Sequence, residues 1–284
     1  MEKLQAVKYL TFKGGGAKGL SYIGSLIELE KHRPLSSFSG FSGTSAGAIT
    51  ALLCAMEVPL REAADLMFST DFSTWLDHEW GVFRDAHNLR VHYGWCRSEV
   101  PRQWLQEVVE KYTGSADSNF LDLPKKLVVC TYNTNTGTPI YYGLHDPLCP
   151  VVDAVLASMS IPVVWEPVEI DGQLCVDGGL VDNFPIGVWP DGEALGFWVD
   201  SQASIDWLRK GIEPEDQGAA QNLSQYISRV MGGVTAAEPH HTDWTNVVMV
   251  PSDLDTLDFS LTTQQKVRCV DLGKKALADW LAAV

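Results

Sequence analysis

The stretch VKYLTFKGGGAKGLSYIGSLIELEKHRPLSSFSGFSGTSAG, residues 7–47, decides the fold. Val7 to Phe12 is rich in residues that suit a strand, and it runs into three glycines. Leu20, Ile23 and Ile27 then recur at helical spacing up to a stop near Pro34. A second small strand, Phe38 to Ser42, leads into Gly43-Thr44-Ser45-Ala46-Gly47. The apolar run Ala46 to Met56 is too long for a strand and too uniform for a surface helix, which predicts a buried helix.

Outward from this unit, strands are expected at Lys126 to Tyr132, Ala194 to Val199 and Asn246 to Val250. Asp171-Gly172 predicts a hairpin turn between Val168–Ile170 and Leu174–Val176. Strands alternating with helices predict the α/β class, with a mostly parallel sheet and one domain spanning 1–284. Residues 66–112 hold Trp75, Trp80, Trp95 and Trp104 without a clear strand pattern and are expected to form an inserted helical cap. Its aromatics Phe68, Phe72, Trp75, Trp80 and Phe83 either line an acyl groove or an interface, or fill core. Residues 201–245 are expected as a mobile, lid-like polar excursion around an amphipathic helix near Leu223 to Val230, next to Gly232 and Gly233. Thr262 to Ala283 predicts a final amphipathic helix interrupted at Gly273.

At 284 residues, 45 % hydrophobic and 20 % charged, the chain buries a sizeable core, which excludes disordered, collagen-like and mini-protein classes. Lys and Arg number 21 against 36 Asp and Glu, a formal charge of -15, with no basic run. Nucleic acid is therefore excluded as a partner, and electrostatic docking on anionic bilayers is disfavoured. A lipid substrate has to be held by apolar contact, and any membrane contact is expected to be peripheral and non-electrostatic. The six cysteines are dispersed and form no CxxC pair, so buried thiols are expected in place of disulfides or zinc ligands. The first residues lack the apolar core of a secretory signal, and no apolar run is long enough to span a bilayer. A cytoplasmic protein is expected, with export by a signal-independent route left open.

The loop Gly14-Gly15-Gly16-Ala17-Lys18-Gly19 has two readings. Glycines 14, 16 and 19 satisfy a dinucleotide-binding spacing, but that fold wants a carboxylate at the end of the second strand, where Phe38 to Gly47 has none. The alternative is an oxyanion hole, built from backbone N–H groups of a Cβ-free turn at a helix N-terminus. Lys18, in the first helical turn, either pairs with a nearby acid as an exposed side chain or meets an anionic head group or an acidic structural partner.

Gly43 to Gly47 is G-x-S-x-G between a strand and a buried helix, the context in which such a turn exposes a nucleophilic serine. Ser45 is the candidate, with Gly43 and Gly47 removing Cβ atoms where strand and helix pass closely; a merely capping serine would not explain both glycines. For the base, His78, His87, His92, His145, His240 and His241 follow Ser45, but none sits in a glycine-flanked turn after a strand. Asp177 does: it follows Leu174-Cys175-Val176 and precedes Gly178-Gly179. A carboxyl at its reference pKa near 3.9 is a feeble base at neutral pH, so Asp177 needs burial or a direct hydrogen bond to Ser45.

Glycine loop, GTSAG and DGG in this order resemble the patatin-like phospholipase family. Ala157-Ser158-Met159-Ser160-Ile161-Pro162, the run from Asp177 through Asn183 to Pro185, and Asp258-Phe259 with its following helix are also similar to family segments. The resemblance implies a three-layer α/β/α fold and a lipid acyl hydrolase with a Ser-Asp dyad. It makes Ser45 the nucleophile, Asp177 its base and the amides of Gly14, Gly15 and Gly16 the oxyanion hole. Lys18, Gly19, Gly43, Gly47, Gly178 and Gly179 support the motif. It implies an acyl-enzyme, a lipid or other ester as substrate, and no metal or cofactor; the sequence names no protein activator. Two alternatives stay open: an esterase or thioesterase on soluble esters, and a non-catalytic module that binds lipid or protein on the same fold.

Overall fold

Ten strands organise the part of the computed structural model that is described, residues 2–76, 91–216, 218–221, 225–227, 229–230, 233 and 244–283. They are β1 Tyr9–Phe12, β2 Gly40–Thr44, β3 Gly94–Cys96, β4 Lys126–Asn133, β5 Thr138–Tyr142, β6 Val163–Trp165, β7 Val168–Ile170, β8 Gln173–Asp177, β9 Ala194–Asp200 and β10 Val247–Pro251. Eight form one sheet in the order β10-β9-β1-β2-β4-β8-β7, with β5 also paired to β4. The β10–β9, β9–β1, β1–β2 and β2–β4 pairs are parallel, and the β4–β5, β4–β8 and β8–β7 pairs are antiparallel. The sheet is thus mixed, mostly parallel through its centre.

Side chains that alternate along these strands feed two cores, one on each face. Leu195, Phe197 and Val199 of β9, Leu127 and Val129 of β4, and Val248 and Val250 of β10 enter the larger core. Ala194, Trp198, Val128 and Val247 enter the smaller one. The Ser21–Glu30, Ala46–Ala55, Val151–Met159 and Thr263–Ala283 helices pack into the first. Ile186 of a short 3-10 turn and Ile205 of the Gln202–Lys210 helix pack into the second. Helices on both faces of the sheet give the layered α/β/α architecture.

The C-terminal helix, Thr263–Ala283, is continuous through Gly273, against the expected interruption. A Cβ at Gly273 would collide with the Ser21 carbonyl, and one at Gly24 with the Val270 backbone, so the two glycines let this helix lie directly on Ser21–Glu30. Asp171 and Gly172 take φ of 50° and 74°, the two-residue turn expected between β7 and β8.

Three features differ from the sequence-based expectation. β3, β5 and β6 had no visible strand signal; β3 and β6 are three residues each, too short to show a period, and they pair in parallel through Gly94↔Val163 and Cys96↔Trp165. In the 66–112 segment, the Leu60–Ser69 and Glu99–Thr113 helices flank this strand, and Trp75, Leu105 and Val109 are part of the main core. His78, Trp80, Phe83 and His87 lie outside the described residues. In the 201–245 segment a helix, Gln202–Lys210, stands where only polar chain was expected; Leu223, Gly232, His240 and His241 lie outside the described residues.

Candidate active site

Two strands meet end to end along one edge of β4. β5 holds one edge, from Val129 to Asn133. The other edge is shared by β2, whose last residue Thr44 faces Cys130, and by the oppositely directed β8, whose last residue Asp177 faces Thr131. Ser45 follows Thr44, so the topology itself brings Ser45 and Asp177 together from distant parts of the chain.

Ser45 has φ 55° and ψ -126°, a conformation that costs on the order of 1–3 kcal/mol for a residue with a Cβ. The turn is tight enough that a Cβ on Gly43 would strike the Gly47 backbone and one on Gly47 the Phe12 carbonyl. Ser158 locks it: the Ser45 N–H donates to Ser158 Oγ at 2.9 Å, and that hydroxyl donates to the Cys130 carbonyl at 2.6 Å.

Asp177 is 1 % exposed. Its backbone N–H donates to the Ser160 carbonyl at 2.9 Å, its Oδ1 accepts the Gly179 N–H at 2.7 Å, and the Ser45 side chain lies close enough to act on the carboxyl. Burial pushes this carboxyl up to about 7, against the Gly179 hydrogen bond and the nearby Ser45 hydroxyl, which favour its charged form. Gly178 leaves room for the Cys130 carbonyl beside it.

The glycine loop passes next to this pair. Gly14 N–H donates to the Asn183 carbonyl at 2.9 Å, and Asn183 Nδ2 donates back to the Gly14 carbonyl at 3.3 Å. This engagement corrects one expectation: the Gly14 amide is already used within the protein and has no hydrogen to offer an oxyanion. Gly15 and Gly16 border the cavity over Ser45. Gly19 packs against Ala46, at the start of the helix after the serine.

Lys18 is not an exposed lysine. Its side chain is 14 % exposed, 3.9 Å from Asp200 Oδ1, and burial lowers its pKa against the opposing effect of Asp200. Lys13 is the residue that sequence reasoning missed here. It is buried, 3.4 Å from Asp200 Oδ2, and donates to the Gly14 carbonyl at 3.2 Å. Burial alone would raise the Asp200 pKa, but the two lysines hold its carboxyl below the usual value. Ser158, Asn183 and Asp200 were likewise unassigned. A lysine directly between a strand and a glycine loop, at the edge where α/β sheets bind ligands, is the available clue for Lys13.

Ser45 sits where two concavities join. One is a polar cavity of about 490 Å³ bordered by the glycine loop, Asp177, Asn183, Lys13, Lys18 and Asp200. The other is a small apolar slot between Ala46, Ile49, Phe72, Trp75, Trp165 and Leu261. Among the expected cap aromatics, Phe72 and Trp75 thus reach the site, in edge-to-face contact with each other at 4.8 Å. His92 and His145 are exposed and border neither concavity; His145 packs on Tyr141. Among the described residues, no three His, Cys, Asp or Glu side chains converge as metal ligands would, and no helix is long and apolar enough to cross a membrane.

Comparison with known proteins bears on this geometry. The sequence model of the patatin-like phospholipase family matches residues 10–188, which contain the glycine loop, Ser45 and Asp177. A cGAMP-activated phospholipase of Pseudomonas aeruginosa is 32 % identical over 188 residues, covering 62 % of this chain and 53 % of that protein. Protein R571 of Acanthamoeba polyphaga mimivirus is 25 % identical over 284 residues, covering 95 % of this chain and 92 % of the relative. In fold, the chain is similar to VipD from Legionella pneumophila, with a TM-score of 0.65 at 20 % identity over 98 % of this chain and 67 % of that one.

Proposed function

The chain belongs to the patatin-like phospholipase family, a family of lipid-hydrolysing enzymes, and on that premise we propose that it cleaves lipid carboxylic esters with Ser45 as nucleophile and Asp177 as base. The observation that carries this reading is the buried Asp177 carboxyl beside a strained Ser45 at the junction of an apolar slot and a polar cavity. Ser45 Oγ attacks the ester carbonyl while the Asp177 carboxylate takes its proton. The tetrahedral oxyanion accepts hydrogen bonds from the Gly15 and Gly16 amides, where each well-placed donor contributes about 3–4 kcal/mol. Collapse breaks the ester C–O bond, and the proton on Asp177 leaves with the alcohol. Water, deprotonated by the same carboxylate, then releases the fatty acid from Ser45.

A pKa near 7 suits this double duty, because the group gives and takes a proton with little bias at neutral pH. The slot orders the acyl chain by apolar contact, at about 0.8 kcal/mol per buried CH₂, and membrane contact is peripheral and non-electrostatic in keeping with the charge of -15. The test is hydrolysis of esters of increasing acyl length in neutral micelles. A steep rise in kcat/KM with chain length supports the lipid reading, and a flat profile favours an esterase of soluble substrates.

A further inference from the structure

The lysine that follows β1 has no task yet in the ester chemistry, and its surroundings give it one. Lys13 is 5 % exposed. Its backbone is clamped on both sides, the N–H donating to the Phe197 carbonyl at 3.0 Å and the carbonyl accepting the Tyr22 hydroxyl at 2.5 Å. The side chain turns to the next peptide: Nζ donates to the Gly14 carbonyl at 3.2 Å and to the Val199 carbonyl at 3.5 Å, and it sits 3.4 Å from Asp200 Oδ2 and 4.9 Å from the centre of the Trp198 ring. Pairing of β1 with β9 needs none of this. The ladder is made by backbone groups, and an apolar side chain at position 13 would serve it without the cost of taking an ammonium out of water.

The Gly14 carbonyl is one half of the Gly14–Gly15 peptide, and the Gly15 N–H is the other. A peptide unit is planar, so whatever holds the carbonyl oxygen also sets the direction of that N–H. Two donors hold the oxygen, Lys13 Nζ and Asn183 Nδ2. The Gly15 N–H itself meets no acceptor among the described residues, and Gly15 lies in the lining of the cavity that contains Ser45. A run of glycines has no side chains to stiffen it, so contacts from outside the loop decide where this N–H points. Asp200 completes the arrangement. Its carboxylate faces Lys13 with Oδ2 and Lys18 with Oδ1, and the two ammonium groups keep it ionised.

We infer that Lys13 is a positioning residue for the oxyanion hole: through the Gly14 carbonyl it orients the Gly14–Gly15 peptide, and so aims the Gly15 N–H at the oxygen that becomes negative when Ser45 attacks. Its positive charge on the carbonyl side also polarises the peptide, which makes the N–H a stronger donor. Lys13 does not touch the substrate in this scheme. The inference rests on reading Ser45 as nucleophile and Gly15 as an oxyanion donor, and it adds the side chain that keeps that donor in place.

The test compares wild type, Lys13→Met and Lys13→Arg on a long-chain ester in neutral detergent micelles, with a trifluoromethyl ketone of the same chain length as inhibitor. Ser45 Oγ adds to the ketone carbon, the carbonyl electron pair moves onto oxygen, Asp177 takes the hydroxyl proton and nothing leaves, so the ketone reports on the oxyanion hole without turnover. Lys13→Met is expected to lower kcat by about tenfold to a hundredfold with KM little changed, less than outright loss of an oxyanion donor, and to weaken ketone binding by the same factor. Lys13→Arg keeps a cation able to donate to the Gly14 carbonyl, with the cavity as room for the larger group, and is expected to recover most of the loss. KM and the inhibition constant do not depend on how much of a variant folds, so instability alone leaves both at wild-type values. The acid limb of kcat/KM near pH 7 is expected to stay in place, because the base is untouched. Unchanged ketone affinity in Lys13→Met, equal losses in the Met and Arg variants, or a shift of the acid limb large enough to account for the loss overturns the positioning role and leaves the hydrolase reading standing. Wild-type protein that neither cleaves the ester nor binds the ketone overturns both.

Discussion

The two concavities that share Ser45 are built in different ways. The polar cavity is made where strands end: Lys13 after β1, Ser45 after β2, Asp177 closing β8 and Asp200 closing β9 all lie at one edge of the sheet. Its geometry is set by ladder register. The apolar slot is made between helices and aromatic side chains, with Ile49 on the buried helix, Phe72 and Trp75 on a short turn and Trp165 on β6. Its geometry is set by packing. On the proposed reading, the chemistry is held by strand ends in the sheet, while selection of an apolar chain falls to helix and aromatic packing.

This contrast can be broken most severely at Asp177. Asp177→Asn is expected to lower kcat by about 10³–10⁴, as loss of a triad carboxylate does elsewhere. In the wild type, kcat/KM is expected to fall about tenfold per pH unit below about 7, because the base must be ionised. Stability runs the other way. The folded pKa lies above the unfolded value near 3.9, so the native state keeps a proton that the unfolded state has released. That stabilisation is full below about pH 4 and is lost as pH rises through about 7. The Asn variant is expected to gain in Tm relative to wild type between pH 5 and pH 8, and a calorimetric pH series measures it.

A second cut separates the turn from its support. Ser158→Ala removes the hydroxyl that joins the Ser45 N–H to the Cys130 carbonyl, leaving two buried backbone groups without this partner. A cost of about 2–3 kcal/mol in urea unfolding and a drop of about tenfold to a hundredfold in kcat, with KM little changed, are expected. On the slot side, Leu261→Trp narrows the apolar passage. The ratio of kcat/KM for long against short acyl chains is expected to fall about tenfold, equivalent to shutting out one or two methylenes from burial. The smallest effect concerns Lys266, which donates to the Phe68 carbonyl at 2.7 Å and the Thr70 carbonyl at 2.9 Å on the chain that leads to Phe72. Lys266→Met is expected to cost about 1–2 kcal/mol of stability in denaturant unfolding.

The same contrast explains what could be read from the sequence. The glycine loop, the Ser45 turn and Asp177-Gly178-Gly179 were legible because each needs glycine beside a strand end, a local requirement with a local signature. The two-residue turn at Asp171-Gly172 was legible for the same reason. Lys13, Ser158 and Asp200 were not, because each acts on a partner far along the chain: Lys13 on Asp200, Ser158 on Ser45. The role of Gly14 was misread because its amide is taken by Asn183, a contact no local pattern announces. Gly273 looked like a helix break, and only the neighbouring helix reveals it as a point of close approach. β3 and β6 exist by pairing with each other and carry no periodic signal of their own.

The central claim is that Ser45, activated by Asp177, attacks the acyl carbon. Labelling of the intact protein with a fluorophosphonate, followed by mass spectrometric location of the adduct, tests it most directly. One adduct on Ser45, absent in Ser45→Ala and formed at least about a hundredfold more slowly in Asp177→Asn, is the expected result. An adduct on another residue, or an undiminished labelling rate in Asp177→Asn, would contradict it.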